Sequence, residues 1–233
     1  MAFVQFDNVV KSFKTGGQEV RAVDGLTFSI DEGEFIVVVG PSGAGKTTLL
    51  NLLGGMDSPT NGQILVDKSQ VHTFNEKQLT EYRRNEVGFV FQFYNLMPNL
   101  TALENIELAV EICKDPLSPH EILKEVGLQE RAGNFPSQLS GGEQQRVSIA
   151  RSVAKNSKLI LCDEPTGALD YQTGKKILKL LHHICKEKGK TVIIVTHNSA
   201  LKDMADKVIT IKNGKAEEVK INKSPMSIDK IEW

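Results

Sequence analysis

The stretch FIVVVGPSGAGKTTLLNLL, residues 35–53, decides the fold. It starts with a run of apolar residues, continues through a glycine-rich turn, and ends with leucines at helical spacing. A continuous apolar run of strand length is typical of a strand buried on both faces of a parallel sheet. Similar runs recur at 159–162 and 191–195, with helical patterns between them. The sequence therefore predicts an α/β protein with a mainly parallel sheet covered by helices.

The glycine-rich turn matches the pattern GxxxxGK[ST], and the strand before it and the helix after it supply the context that this pattern requires. Backbone N–H groups of such a loop surround phosphate groups, while Lys46 would bring a positive charge to the β- and γ-phosphates. Thr47 would offer a hydroxyl group to Mg²⁺. A chance match is the alternative. The residues expected to contact a nucleotide here are Gly40, Pro41, Ser42, Gly43, Ala44, Gly45, Lys46, Thr47 and Thr48.

Composition argues against several other classes of protein. The 233 residues carry a formal net charge of -1 and have a pI near 6.5, so the strong basic field that nucleic-acid binding needs is missing. Apolar runs stay well below the ~20 residues of a membrane-spanning helix, and the first residues do not form a signal-peptide pattern. Cys113, Cys162 and Cys185 lack metal-ligand spacing, which favours reduced structural thiols. We therefore expect a cytoplasmic protein that does not bind nucleic acid.

Polar residues follow three further apolar runs. Asp163 and Glu164 come after LILC, where Asp163 would hold hydrated Mg²⁺ and Glu164 would act as general base on the attacking water. His197 follows VIIVT and would contact the γ-phosphate or orient that water. Gln92 follows VGFVF and would offer a neutral oxygen to Mg²⁺. The alternatives are a solvated turn for the carboxylates and a structural role for the histidine and the glutamine.

The segment LSGGE, residues 139–143, predicts a second phosphate-binding site. Glycines that open a helix present backbone N–H groups to an anion, with the positive end of the helix dipole behind them. The residues expected to bind phosphate here are Ser140, Gly141, Gly142 and Glu143. Because the chain already has one complete phosphate loop, this second site requires a second nucleotide or a second copy of the protein.

Other patterns describe the organisation of the chain. The runs at 3–9 and 22–30 alternate more and favour antiparallel edge strands, and Asn213-Gly214 predicts a hairpin turn between two strands. Helical patterns predict helices at 101–112, 119–126 and 141–154, which together indicate a helical insertion. The last ten residues are expected to be loose.

In motif content and order, the chain resembles the ATPases of the ATP-binding-cassette (ABC) family over nearly its whole length. The matching segments are Gly40–Thr47, Gln92 as the Q-loop, LSGGE, Asp163-Glu164, Ala168-Leu169-Asp170 as the D-loop, and His197 as the switch histidine. The resemblance implies ATP and Mg²⁺ as cofactors, and a head-to-tail homodimer in which LSGGE of one copy grips the γ-phosphate held by the other. Asp170 would cross the same interface.

The same resemblance implies the architecture and the position of the adenine. It implies a P-loop NTPase (RecA-like) core with a mainly parallel sheet, an antiparallel β subdomain and an inserted helical subdomain. The expected single domain, 1–233, has its core with the β subdomain at about 1–91 and 155–221, its helical subdomain at about 92–154, and a tail at 222–233. Phe13 stands at the position where family members stack adenine on an aromatic ring, which implies modest preference for the base. The alternative for Phe13 is a core residue at a strand end.

In three longer stretches, residues 40–64, 87–108 and 162–178, the chain resembles the branch of the family that serves lipoprotein release, macrolide or peptide export, and the related cell-division complex. In that branch the permease is usually a separate membrane chain with a large extracytoplasmic domain, sometimes with an adaptor protein, so the ATPase would lie on the inner face of the membrane. The apolar segment 91–100 would pack inside the helical subdomain or form the groove for a permease helix. Two functional alternatives are a permease-like signalling or cell-envelope complex that moves no substrate, and a soluble nucleotide kinase.

Overall fold

The computed structural model describes residues 2–232, apart from the side chain of Thr15. It forms two compact units, which are described separately: unit 1 is Met1–Thr80 with Ile193–Trp233, and unit 2 is Glu81–Val192. The strands are β1 (Val4–Thr15), β2 (Gln18–Ile30), β3 (Phe35–Val39), β4 (Asn61–Val66), β5 (Ser69–Gln70), β6 (Val87–Val90), β7 (Leu159–Asp163), β8 (Thr191–Thr196), β9 (Lys207–Lys212) and β10 (Lys215–Ile221). The α-helices are α1 (Lys46–Leu53), α2 (Glu76–Asn85), α3 (Ala102–Val110), α4 (Pro119–Glu125), α5 (Gly141–Ala154) and α6 (Tyr171–Lys188).

Unit 1 contains two kinds of sheet. Strands in the order β2-β1-β4-β5 form an antiparallel sheet, in which Phe6 on β1 stacks on Phe28 on β2 with ring centroids 4.6 Å apart. The antiparallel pairing predicted for the first two strands is confirmed, and β2 is an edge strand as predicted. The edge position predicted for β1 is wrong, because β1 pairs with β2 on one side and with β4 on the other. In the other sheet β10 pairs antiparallel with β9, and β9 pairs parallel with β3. Every residue of β3 is buried, as its continuous apolar run predicts.

Unit 2 combines a parallel strand pair with helices. β6 and β7 run parallel, with Val90 opposite Cys162, so their carboxyl ends lie side by side. The predicted helices of this region are present as α3, α4 and α5, and α5 has the predicted bounds. Together with unit 1, these elements give the mixed α/β fold that the sequence predicts.

Two segments differ from expectation. The sequence pattern did not indicate α2, because only Leu79 and Tyr82 of its residues face the core and the rest of EKQLTEYRRN is polar. The last residues are not loose: Ile228 and Ile231 are buried, and the Met226 N–H donates a hydrogen bond to the Asp203 carbonyl at 2.7 Å. Trp233, the last residue of the predicted tail, lies outside the described residues.

Among residues 2–232, no helix is both long enough and apolar enough to cross a membrane.

Candidate nucleotide-binding site

The phosphate loop of unit 1 is an open turn between β3 and α1. Gly43 and Gly45 have φ angles of +77° and +102°, which only glycine adopts readily, and these angles bend the chain into the start of the helix. Ser42 on this loop and Thr47 in the first turn of α1 are exposed. Backbone N–H groups at the N-terminus of α1 can therefore reach an anion from solvent.

Lys46 lies across this loop. Its ammonium group donates hydrogen bonds to the carbonyl oxygens of Gly40 at 2.9 Å and Pro41 at 3.0 Å, and only 9% of the residue is exposed. The lysine thus places a positive charge against the backbone of the loop, next to the N-terminus of α1. Both features favour a bound phosphate.

Two glycines of the loop are required by close backbone packing. A Cβ atom on Gly40 would lie 2.2 Å from the Ile211 carbonyl oxygen, and one on Gly45 would lie 2.2 Å from the Ala22 carbonyl oxygen. Neither position has room for a side chain. The loop is therefore held against β9 and β2 by direct backbone contact.

Phe13 on β1 is 42% exposed, so it is not the core residue that the alternative interpretation requires. The Lys11 ammonium lies 5.1 Å from the centroid of its ring. A cation near an exposed aromatic ring helps to fix the ring in place. The ring remains accessible for stacking with a base.

His197 is also exposed, at the first position after β8. Residues 193–196 of β8 belong to unit 1, and β8 lies beside β3 in the sheet. The histidine thus follows the strand next to the one that carries the phosphate loop.

In unit 2 the parallel strands β6 and β7 bring Gln92 and Glu164 together. A Cβ atom on Gly167 would lie 3.0 Å from Gln92 Nε2 and 3.4 Å from Glu164 Cβ, so both residues border this glycine. Asp163, the last residue of β7, is half-buried one position before Glu164. The structure therefore places the predicted carboxylates and the predicted amide at neighbouring strand ends.

Glu164 has an unusual backbone conformation. Its φ is +47°, in the left-handed region that non-glycine residues rarely occupy. Such a conformation costs about 1–3 kcal/mol and is concentrated at functional sites. The Gly167 N–H donates a hydrogen bond to the Glu164 carbonyl at 3.0 Å and holds the turn in this shape.

The LSGGE segment begins α5 with a capping box. The Glu143 backbone N–H donates to the Ser140 hydroxyl, while the Ser140 backbone N–H donates to the Glu143 carboxylate at 2.8 Å. Hydrogen bonds from the Ser140 backbone and hydroxyl, reinforced by Arg131, hold the pKa of Glu143 below its usual value. Ser140 is exposed at the positive end of the 14-residue helix. The carboxylate of Glu143 thus organises the cap, a role that the sequence analysis missed although the spacing S-x-x-E signals it.

The two glycines of LSGGE pack within their own chain. A Cβ atom on Gly142 would lie 2.3 Å from Thr173 Cγ2, and one on Gly141 would lie 2.7 Å from the Tyr94 hydroxyl oxygen. Gly142 is buried against α6 as a result. A larger residue at 142 would disturb the contact between α5 and α6 before it met any second molecule.

Asp170 caps α6. Its carboxylate accepts a hydrogen bond from the Thr173 backbone N–H at 3.1 Å, and hydrogen bonds from Thr173 lower the pKa of Asp170. The side chain predicted to cross a dimer interface therefore also has a structural role inside its own chain.

Arg151 is a further residue of this region that the sequence did not reveal. Its guanidinium donates hydrogen bonds to the carbonyl oxygens of Asn95 at 2.6 Å and Tyr94 at 3.0 Å. Tyr94 and Asn95 have φ angles of +58° and +50°, so Arg151 stabilises two strained residues that closely follow Gln92. Through this contact, the segment after Gln92 is fixed to the helix that starts with LSGGE.

Comparison with known proteins gives consistent results. The model of the ABC transporter family matches residues 23–167. The chain is 44% identical over 223 residues to the uncharacterized ABC transporter ATP-binding protein MJ0796 of Methanocaldococcus jannaschii, covering 92% of this chain and 95% of that protein. It is 42% identical over 216 residues to the macrolide export ATP-binding/permease protein MacB of Brucella melitensis, covering 91% of this chain but only 33% of MacB.

The fold is likewise similar to a solved structure. A dimeric structure of the ATP-binding cassette MJ0796, in a post-hydrolysis state bound to ADP and Pi, superimposes with a TM-score of 0.87 and 41% identity. The match covers 95% of this chain and 99% of the solved chain. The predicted fold class and the resemblance on which it rests are both confirmed.

Proposed function

The chain belongs to the ABC transporter family, and we propose that two copies of it bind ATP between them and drive a separate membrane permease by hydrolysing it. The observation that carries the two-copy arrangement is the exposed, capped N-terminus of α5 in a chain that already has a complete phosphate loop. The dimeric state of MJ0796 with ADP and Pi supports the same arrangement here.

The proposed roles in hydrolysis follow the chemistry of each side chain. Lys46 and the loop N–H groups bind the β- and γ-phosphates, and Thr48 lies in the first turn of the helix behind them. Glu164 accepts a proton from the attacking water, and His197 orients that water against the γ-phosphate. The strained backbone of Glu164 supports this assignment, because it fixes the direction of the carboxylate.

Mg²⁺ fits the donor set. The Thr47 hydroxyl, the Gln92 amide oxygen and the Asp163 carboxylate are hard oxygen ligands, which Mg²⁺ prefers. When bound, Mg²⁺ neutralises charge that develops on the phosphate oxygens.

We assign the adenine to the exposed ring of Phe13. Stacking uses the face of the base and not its hydrogen-bonding edge, so GTP would bind nearly as well as ATP. At the other end of the nucleotide, Ser140 and the Gly141 N–H of the second copy would contact the γ-phosphate, with Asp170 at the same interface.

We assign the permease contact to exposed apolar side chains of unit 2. Phe93 is 75% exposed, and Met97, Leu108 and Ile112 are also exposed, whereas Phe91 and Leu96 are partly buried. Exposed apolar side chains within one segment of the chain, residues 93–112, favour a protein partner. The proposed occupant is an amphipathic cytoplasmic helix of the permease, which would hold the ATPase at the inner face of the membrane.

The export-type name of MacB favours a transporter over a signalling complex that moves no substrate. From the resemblance of the sequence to the export branch of the family, we propose a permease with a large extracytoplasmic domain and, in the assembled system, an adaptor protein. Purifying this chain from membranes and identifying the proteins that co-purify with it would test for both the permease and the adaptor.

The test of the two-copy site uses Glu164→Gln. Loss of the general base should reduce hydrolysis by at least about a hundredfold and leave ATP bound, so that gel filtration with MgATP shows a dimer and gel filtration with ADP does not. Into this background we would introduce Ser140→Asn or Ser140→Asp, since both residues are good helix caps. Only aspartate adds negative charge, so it alone should remove the dimer. A dimer that persists with Ser140→Asp contradicts the shared site, and hydrolysis by Glu164→Gln at the parent rate contradicts the role of Glu164.

A further inference from the structure

The turn that joins β9 to β10 lies directly on the phosphate loop. The Gly214 N–H donates a hydrogen bond to the Ala44 carbonyl at 3.0 Å, and the Gly214 carbonyl accepts one from the Asp24 N–H at 2.8 Å. A single residue of the turn is therefore bonded to the loop on one side and to β2 on the other. All three segments belong to unit 1.

No side chain separates these segments. Gly214 has a φ of +75°, and a Cβ atom there would lie 3.0 Å from the Ala22 carbonyl oxygen and 3.2 Å from the Asp24 nitrogen. The same Ala22 carbonyl blocks a Cβ atom on Gly45 at 2.2 Å. The turn, β2 and the loop thus pack backbone against backbone, and displacement of one must displace the others.

Ion pairs hold the turn in place from its outer side. Lys215, the residue after Gly214, lies 3.2 Å from the Asp24 carboxylate, and Arg21 donates to the same carboxylate at 3.0 Å. Hydrogen bonds from Arg21 and Lys215 lower the pKa of Asp24. The Asp24 carboxylate therefore ties the start of β10 to β2, while the Asp24 backbone N–H donates to the Gly214 carbonyl.

Strand β2 also pairs with the residue that carries the exposed aromatic ring, Phe13. Phe13 on β1 pairs with Val20 on β2, two residues before Ala22. β2 therefore connects the ring of Phe13 to the turn and to the phosphate loop.

We propose that Gly214 is a positioning residue for ATP, and that the turn it forms fixes the phosphate loop relative to β2 and to the ring of Phe13. This rests on the proposed assignment of the ATP phosphates to the loop at 40–47. A loop whose N–H groups are held in place before binding does not lose freedom when phosphate arrives, so its affinity is higher. Gly214 itself does not touch the nucleotide.

The test compares Gly214→Ala with Gly189→Ala. Gly189 has a similar φ of +64° and nothing within 4 Å of a Cβ atom, so both variants carry the strain of a left-handed alanine but only Gly214→Ala displaces the turn. For Gly214→Ala we expect the Kd of ATP and the KM of hydrolysis to rise about tenfold, as for the loss of one good hydrogen bond, with kcat at saturating ATP unchanged. Tripolyphosphate, which lacks the base, should lose affinity by the same factor. Gly189→Ala should melt at a lower temperature and bind ATP like the parent.

Two further variants separate the possible failures. Lys46→Ala should lose ATP binding; if it binds like the parent, the proposed phosphate site itself is wrong. If Lys46→Ala loses binding but Gly214→Ala keeps the parent Kd and KM, the positioning role is wrong and the site stands. Should Gly214→Ala fail to fold, Asp24→Asn decides, because it removes both ion pairs and leaves the backbone unchanged. An ATP affinity of Asp24→Asn about threefold below that of the parent supports the role if this difference disappears in high salt. An unchanged affinity overturns it.

Discussion

Replacing Arg151 by alanine should release the segment that follows Gln92. The guanidinium donates to the carbonyl oxygens of Tyr94 and Asn95, and each charge-assisted hydrogen bond contributes about 1.5–3 kcal/mol. The exposed Asn95 can exchange its lost bond for water, whereas the carbonyl of the partly buried Tyr94 is poorly compensated. We therefore expect a loss of about 2 kcal/mol, which corresponds to about 4–8 °C in Tm for a chain of this size.

The assay combines thermal unfolding with amide hydrogen exchange. In Arg151→Ala, exchange should accelerate at residues 93–97, because two left-handed residues lose the contact that stabilises them. Arg151→Lys is the matched control: a single ammonium group can reach one carbonyl but cannot span both, so the loss of stability should be smaller than in Arg151→Ala. kcat should fall in both variants, and further in Arg151→Ala, because the segment that follows Gln92 is held less firmly. A Tm within about 1 °C of the parent, with unchanged exchange at 93–97, would refute the reasoning.

Three other outcomes follow from the contacts of α5 and from the turn at Glu164. Gly142→Ala should lower stability by about 1–3 kcal/mol, because its Cβ meets Thr173 Cγ2 at 2.3 Å, and adding Thr173→Ser should restore much of the loss; a melting series shows whether the pair couples. Glu164→Gly should raise Tm while abolishing hydrolysis, since glycine accepts a φ of +47° without strain; a lower Tm would argue against strain at this position. The depressed pKa of Glu143 means that its charge stabilises the fold above the usual value of 4.5 and that this contribution is lost as pH falls through the lower folded pKa. The stability difference between the parent and Glu143→Gln should therefore shrink on acidification below pH 4.5, and a constant difference would contradict it.

Local motifs and long-range contacts differ in what the sequence reveals. β3 and α5 have the predicted bounds, because each combines an apolar pattern with a glycine signal at one end. The spacing S-x-x-E also predicts the capping box at Ser140, but the two glycines between these residues were interpreted only as a phosphate-binding signal. α2 gave no pattern, since a helix that buries two residues has no apolar face to detect.

Contacts between distant segments could not be predicted in this way. Arg151 binds carbonyl oxygens 56 and 57 residues earlier, and these are backbone groups that every residue carries. Gly214 likewise binds a loop 170 residues away through its own backbone. A single sequence gives no signal for such pairings, because the accepting group is a backbone carbonyl oxygen, which is present whatever the residue type.

The packing of Gly142 against Thr173 has an evolutionary consequence. Because Gly142 packs against Thr173 inside its own subunit, selection on it would come from folding as well as from the proposed contact with the nucleotide of a second copy. A gene duplicate that had lost one of its two hydrolytic sites would still retain this glycine for as long as the protein folds. Ser140, which is exposed and can be replaced as a helix cap by asparagine or aspartate, would drift first. Degeneration of a site in this lineage should therefore be looked for at the serine of LSGGE and not at its second glycine.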